Sequence, residues 1–210
     1  MKSVKVKICG ITNKDDLLYS ISSGADALGF VCGFKDSKRN LDLNKAEELS
    51  NLVPPFVYKV VVTPIDDSAF LQKVIDKIEP NALQLYGYSG KIPSIDRKGV
   101  KLINAINLDQ YSMSANDFSK HFDAIVLDSI SNGMGGTGIT HNWSRSNEIR
   151  KIVEPTPLIL AGGLTPTNVS EAINIVQPFA VDVSTGVEKE PGKKDHSKIK
   201  LFINESKRGL

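Results

Sequence analysis

The chain has 210 residues, 40% hydrophobic and 24% charged, which supplies apolar mass for one sizeable core and argues against long disorder. A formal net charge of +2, with no dense Lys/Arg run outside the ends, gives no electrostatic case for nucleic acid or an anionic membrane as partner. Two cysteines imply no disulfide framework, Met1 runs straight into a strand pattern, and no apolar run approaches the ~18 residues of a span, so a soluble cytoplasmic protein is expected.

Along the chain, short β-like runs alternate with longer amphipathic segments. The strand runs are VKVKIC from Val4, ALGFVC from Ala27, VYKVVV from Val57, ALQLY from Ala82, VKLINAI from Val100, DAIVLD from Asp123, PLILAG from Pro157 and FAVDVS from Phe179. Helical patterns begin at Asn13, Asn44, Ser68, Ser144, Thr165 and His196, several opened by an N-capping Asn, Ser or Thr. The helices after the fourth and fifth strands, around SIDRKG and SANDFSKHF, read as short or irregular. Strict alternation predicts a parallel sheet, and eight units predict closure into a single-domain α/β fold over residues 1–210, the (β/α)8 or TIM barrel. At about 26 residues per unit the barrel must be compact, with Pro54-Pro55 and Gly90 to Pro93 as turns inside the rhythm.

Strand parity then locates the interior. Outward side chains pack under helices and should be apolar, while inward ones fill the barrel or, at the carboxyl end, meet ligand. In the first strand Val4, Val6 and Ile8 go outward, leaving Lys5, Lys7 and Cys9 inward. The same rule turns Gln84 and Tyr86, Asp128, and Asp182 and Ser184 inward. Buried unpaired charges cost several kcal/mol each, so a barrel interior with this many polar groups is expected to do chemistry.

The loops after the seventh and eighth strands, where such barrels commonly hold phosphate, read AGGLTPTNV and VSTGVE. Gly162 and Gly163 let backbone approach an anion, and Ser184, Thr185 and Gly186 offer hydroxyl and N–H donors. The loop from Ser129 contains GMGGTG, a literal dinucleotide pattern, but its glycines begin several residues past the strand and the ribose-binding acid is missing; a Gly-rich lid or substrate loop fits better. After the second strand, CGFKDSKRN places Lys35, Lys38 and Arg39 near the mouth, and the Arg39 guanidinium can clamp a carboxylate bidentately. Cys32 reads as packing, Trp143 and the methionines as helix or loop packing, and His121, His141 and His196 as surface residues without metal spacing.

With these residues assembled, the sequence resembles the phosphoribosylanthranilate isomerase family of tryptophan biosynthesis. The likeness runs from KICGIT at Lys7 through ALGFV, QLYG, VLDS followed by GGTG, and LAGGL, to VDVSTGVEKEPGKKD ending at Asp195. It implies Cys9 as general base, Asp128 as general acid, Arg39 on the anthranilate carboxylate, and Asp182 with the AGG and STG loops on the sugar phosphate. Three positions depart from the family pattern: Lys38 replaces the usual Pro before Arg39, Tyr86 replaces a frequent histidine, and Cys32 stands where an aromatic is common.

The implied reaction is an Amadori rearrangement of N-(5-phosphoribosyl)anthranilate, which one acid and one base complete without metal, nucleotide or flavin. Asp128 must be protonated near neutral pH, as a partly desolvated carboxyl can be, and Cys9 must reach thiolate. Lys7 lies on the same face, roughly 6.5 Å below Cys9 at ~3.3 Å per residue, and is expected to favour the thiolate, with Gln84 in support. Lys5 is too far down and should find a carboxylate near the barrel floor. Other sugar-phosphate barrel enzymes and a noncatalytic binder are the alternatives; the indoleglycerol-phosphate synthase and epimerase signatures are missing, and binding alone needs neither Cys9 nor Asp128. A monomer or a homodimer fits equally.

Overall fold

The computed structural model describes residues 4–107, 121–128 and 142–208. Its strands are β1 (Lys5–Cys9), β2 (Ala27–Cys32), β3 (Asn40–Leu41), β4 (Tyr58–Pro64), β5 (Ala82–Tyr86), β6 (Lys101–Asn107), β7 (Ala124–Asp128), β8 (Leu158–Leu160), β9 (Ala180–Val183), β10 (Glu188–Glu190) and β11 (Lys193–Lys194). Eight of them, β1, β2 and β4 to β9, pair in parallel in that order, and β1 joins both β2 and β9, which closes the barrel. The short β3 lies along the end of β2, and β10 and β11 form a small antiparallel hairpin. Neither was expected: strands of two or three residues are too short to show a period of two.

The described helices are α1 (Lys14–Ser22), α2 (Leu43–Ser50), α3 (Ser68–Ile78), α4 (Trp143–Val153), α5 (Val169–Val176) and α6 (His196–Arg208). Side chains start four of them: Asn13 accepts from Asp16 N, Asp42 from Lys45 N and Asp67 from Phe70 N, each at 2.9 Å, and Asn142 from Ser144 N at 3.0 Å. The cap of α2 is thus Asp42, two residues before the expected Asn44. Between β5 and β6 no helix forms, in line with the irregular segment expected there. The segment around SANDFSKHF, the GMGGTG loop and His141 lie wholly or mostly outside the described residues.

Each helix lays one apolar face on the barrel. In α3 the buried set Leu71, Val74, Ile75 and Ile78 has the 0, 3, 4, 7 spacing of one helical stripe. It meets the outward faces of the strands, where Val6, Ile8, Leu28, Phe30 and Leu83 are fully buried. Inside the barrel a second apolar cluster, including Val60, Ile103, Val126 and Ile159, lies below the polar inward residues. None of the described helices is long and apolar enough to cross a membrane.

Because Leu71 has no exposed surface and lies in that stripe, Leu71→Ala should lower unfolding stability by about 2–5 kcal/mol in urea titration, without changing the active-site groups.

Candidate active site

The polar interior begins at Lys7. Its Nζ donates to Asp182 Oδ2 at 2.6 Å and to Gln84 Oε1 at 2.8 Å, and all three side chains are buried. Lys7 and Asp182 are register partners on the adjacent strands β1 and β9, so strand pairing itself brings the charges together. From Gln84 the chain of hydrogen bonds continues upward: Nε2 donates to Tyr86 Oη at 3.4 Å, and that hydroxyl donates to Asp128 Oδ2 at 3.2 Å. Burial, with the Asp128 carboxylate next, pushes the Tyr86 phenol well above its ordinary value, so it stays protonated and acts as donor. Lys5 pairs with Asp26 at 3.1 Å at the floor, as expected.

Cys9 and Asp128 end β1 and β7, three strands apart around the closed sheet. Room for the thiol comes from Gly29, whose β carbon, if it had one, would lie 2.7 Å from Cys9 Sγ and 3.1 Å from Lys7 Cε. The expected tuning by Lys7 is present but is outweighed. Burial pushes the Cys9 thiol up most strongly, Lys7 and Lys194 pull it down, Asp182 pushes it up, and the net direction is upward. Lys7 falls short because burial is the stronger influence and Asp182, bonded to Lys7 at 2.6 Å, adds to it. Burial works against Lys7's own ammonium, but Asp182 and Cys9 together outweigh it and its pKa is raised. Cys32, fully buried in the outer core, is pushed up to about 12 by burial and by Asp42, which fits its reading as packing.

The two loops expected to hold phosphate come into contact. Gly186 passes so close to the Leu164 carbonyl that a β carbon there would sit 1.9 Å from the oxygen, and Gly162 and Gly163 have left-handed φ of 80° and 65°. Asn168 does not cap α5; its Oδ1 accepts from Thr165 N at 2.8 Å and its Nδ2 donates to the Gly163 carbonyl at 3.0 Å, which pins the first loop. Ser184, Thr185 and Gly186 are half-buried beside it, and Lys194 Nζ donates to the Ser184 carbonyl at 3.3 Å.

Arg39 does clamp a carboxylate, but in this structure it is the chain's own. Its Nε and Nη2 donate to Glu188 Oε1 and Oε2 at 2.8 and 2.6 Å. Glu188 also accepts from Lys194 Nζ at 2.9 Å. Burial pushes the Glu188 carboxyl up, yet Arg39 and Lys194 together hold it below the usual range. Sequence reasoning missed Glu188, Lys194 and Gly29. Both charged residues fall within VEKEPGKKD, but nothing in their spacing pairs them with Arg39, about 150 residues earlier. His196 bonds Asp16 at 3.0 Å and stacks on Tyr19, and among the described residues no cluster could hold a metal ion.

The arrangement has a carboxyl and a thiol at the carboxyl ends of two barrel strands, with glycine-bearing loops in contact after β8 and β9. A family model described as N-(5'-phosphoribosyl)anthranilate isomerase matches residues 6–205. The chain belongs to that family. It is an isomerase of tryptophan biosynthesis acting on phosphoribosylanthranilate. The isomerase of Thermotoga neapolitana is 42% identical over 209 residues, spanning 97% of this chain and 98% of the relative. A solved family member in complex with reduced 1-(o-carboxyphenylamino)-1-deoxyribulose 5-phosphate is 38% identical, covers 99% of this chain and 100% of its own, and superposes with a TM-score of 0.77. Monomers generated from the dimeric Thermotoga maritima isomerase are 36% identical, with the same coverage and a TM-score of 0.77.

With its thiol pKa raised, the free isomerase should show kcat/KM still climbing above pH of about 8.5, the ordinary thiol value, as the thiolate fraction grows. Lys7→Met should move the Cys9 titration, followed by thiolate absorbance, further up in pH, and Asp182→Asn should move it down; Cys32 stays silent over that range.

Proposed function

We propose that Cys9 is the general base and Asp128 the general acid of the rearrangement of N-(5-phosphoribosyl)anthranilate to 1-(2-carboxyphenylamino)-1-deoxyribulose 5-phosphate. The observation that carries this reading is that both groups are buried at the carboxyl ends of inward-facing strands, on separate sides of one mouth. Asp128 gives its proton to the furanose oxygen as the bond from that oxygen to C1 breaks, its electron pair going to oxygen and the nitrogen lone pair forming the Schiff base. The Cys9 thiolate then takes the C2 proton, and the C–H electrons make the C1–C2 double bond while the C–N π pair returns to nitrogen. The enolamine gains a proton at C1 and loses one from the C2 hydroxyl, giving the ketone with no change in overall redox state.

Asp182 suits a sugar hydroxyl. Its Oδ2 is taken by Lys7, while Oδ1 is buried without a hydrogen-bond partner, an arrangement that favours a donor arriving with the substrate. The Gly162–Gly163 and Ser184–Gly186 loops take the phosphate, and Lys7 and Gln84 hold Asp182 and Tyr86 in place. Arg39 takes the anthranilate carboxylate. The two free buried cysteines support a reducing compartment, the cytoplasm.

Freshly formed phosphoribosylanthranilate should lose its fluorescence faster with the protein than without it. Cys9→Ser and Asp128→Asn should each cut kcat by about 10²–10⁴-fold at unchanged thermal stability; near wild-type turnover in either variant would overturn its assigned role.

The barrel floor supports a homodimer. Phe56 is fully exposed and stands with the exposed Tyr58 and Phe179 around an apolar cavity of about 500 Å³, at the end opposite Cys9. A second copy covering this face would bury those rings, consistent with the dimeric Thermotoga maritima relative. Sedimentation should give the dimer mass at micromolar concentration and the monomer mass for Phe56→Asp; a monomeric wild type would exclude the arrangement.

A further inference from the structure

Two buried charged residues at the mouth, Glu188 and Lys194, have no part in the acid–base steps. We infer that they are positioning residues for Arg39: Glu188 aims the guanidinium at the substrate carboxylate, and Lys194 restores the positive charge that Glu188 would otherwise cancel. The inference rests on the reading of Arg39 as the carboxylate clamp.

The aim comes from two contacts. The stem of Arg39 crosses Gly10, the residue after Cys9, so closely that a β carbon on Gly10 would lie 2.6 Å from Arg39 Cδ. The guanidinium is thereby carried to the end of the barrel where the thiol stands. Glu188 then occupies one edge of it, taking the Nε hydrogen at 2.8 Å and one Nη2 hydrogen at 2.6 Å. A guanidinium has five N–H donors in a rigid plane, so three remain: both on Nη1 and one on Nη2. One hydrogen on each Nη forms the end-on edge of the fork, which matches a second carboxylate bidentately. Glu188 therefore occupies the side edge and leaves the end-on edge for ligand.

Charge is the second half of the inference. Arg39 with Glu188 alone is a neutral pair and attracts no anion. Burial lowers the Lys194 pKa and Glu188 opposes the fall; as an ammonium its Nζ, 2.9 Å from Glu188 Oε1 and without exposed surface, brings the cluster to a net charge of +1. The same Nζ contacts the Ser184 carbonyl at 3.3 Å and Oγ at 3.5 Å, so one ammonium links the clamp to the phosphate loop. A structural role alone is a weak explanation. A buried charged triad is generally matched or bettered in stability by well-packed apolar residues, so stability gives no reason to keep one here.

The test compares the natural substrate with N-(5-phosphoribosyl)aniline, which has the same sugar phosphate and ring but lacks the carboxylate. Lys194→Met removes the compensating charge. Glu188→Asp keeps the charge and draws the guanidinium out of line by one methylene. Each should raise KM for the natural substrate about tenfold more than KM for the aniline analogue, the lower end for losing a hydrogen bond to a charged group, while the shared phosphate and thiol chemistry keep the ratio of the two kcat values within about threefold. Lys194→Arg should recover most of the loss. Arg39→Met separates this inference from the reading beneath it. If Arg39→Met weakens both substrates equally, Arg39 is not the carboxylate clamp. If Arg39→Met discriminates between them while Glu188→Asp and Lys194→Met weaken both alike or neither, Arg39 is the clamp and the positioning role is overturned. Glu188→Asp keeps the test decisive should Lys194→Met fail to fold.

Discussion

A single ammonium inside the barrel, Lys7 Nζ at 2.6 Å from Asp182 and 2.8 Å from Gln84, is the interaction around which the rest is arranged. It joins β1, β9 and β5 through their side chains, above a cluster of apolar residues in the barrel interior. A charge buried in such surroundings persists only when it is paired and its remaining protons are bonded. Asp182 meets the first condition and Gln84 contributes to the second. From Gln84 the same requirement propagates through Tyr86 to Asp128, so the placement of the proposed acid follows from satisfying a lysine three strands away from it around the sheet.

That pairing also sets the state of the thiol. Lys7 favours the thiolate, but burial is the larger influence and Asp182 adds to it, so the Cys9 thiol is pushed up. The compensation is local: Lys194, from a hairpin nearly at the other end of the chain, adds its pull, and Gly29 gives the sulfur its space. The site is therefore a set of opposing charges in which each group's protonation depends on its neighbours as well as on its own burial. The mouth is built the same way, with Glu188 held ionised by the two cations that touch it.

Much of the barrel is legible because its strands obey a period of two against helices with a period near 3.6. Val4, Val6 and Ile8 alternate with Lys5, Lys7 and Cys9, and that alternation alone separates core from interior. The floor pair of Lys5 with Asp26 follows from it too. What parity does not carry is partnership. The β10–β11 hairpin has no periodic signal, and the contact of Arg39 with Glu188 spans 149 positions, so the clamp's occupant and its buried lysine became visible only once the chain had closed.

By itself, then, the sequence determined the eight-fold alternation, the inward set of Lys7, Cys9, Gln84, Asp128 and Asp182, and through its motifs the family. Those are local properties: periodicity, residue type and order along the chain. Tertiary structure alone decided that Lys7 spends its charge on Asp182, that Arg39 is already engaged by Glu188, and that Cys9 is a protonated thiol at rest. The physical reason is that ionisation is set by distance in a low-dielectric interior, and such distances join strands and loops that sequence order keeps far apart.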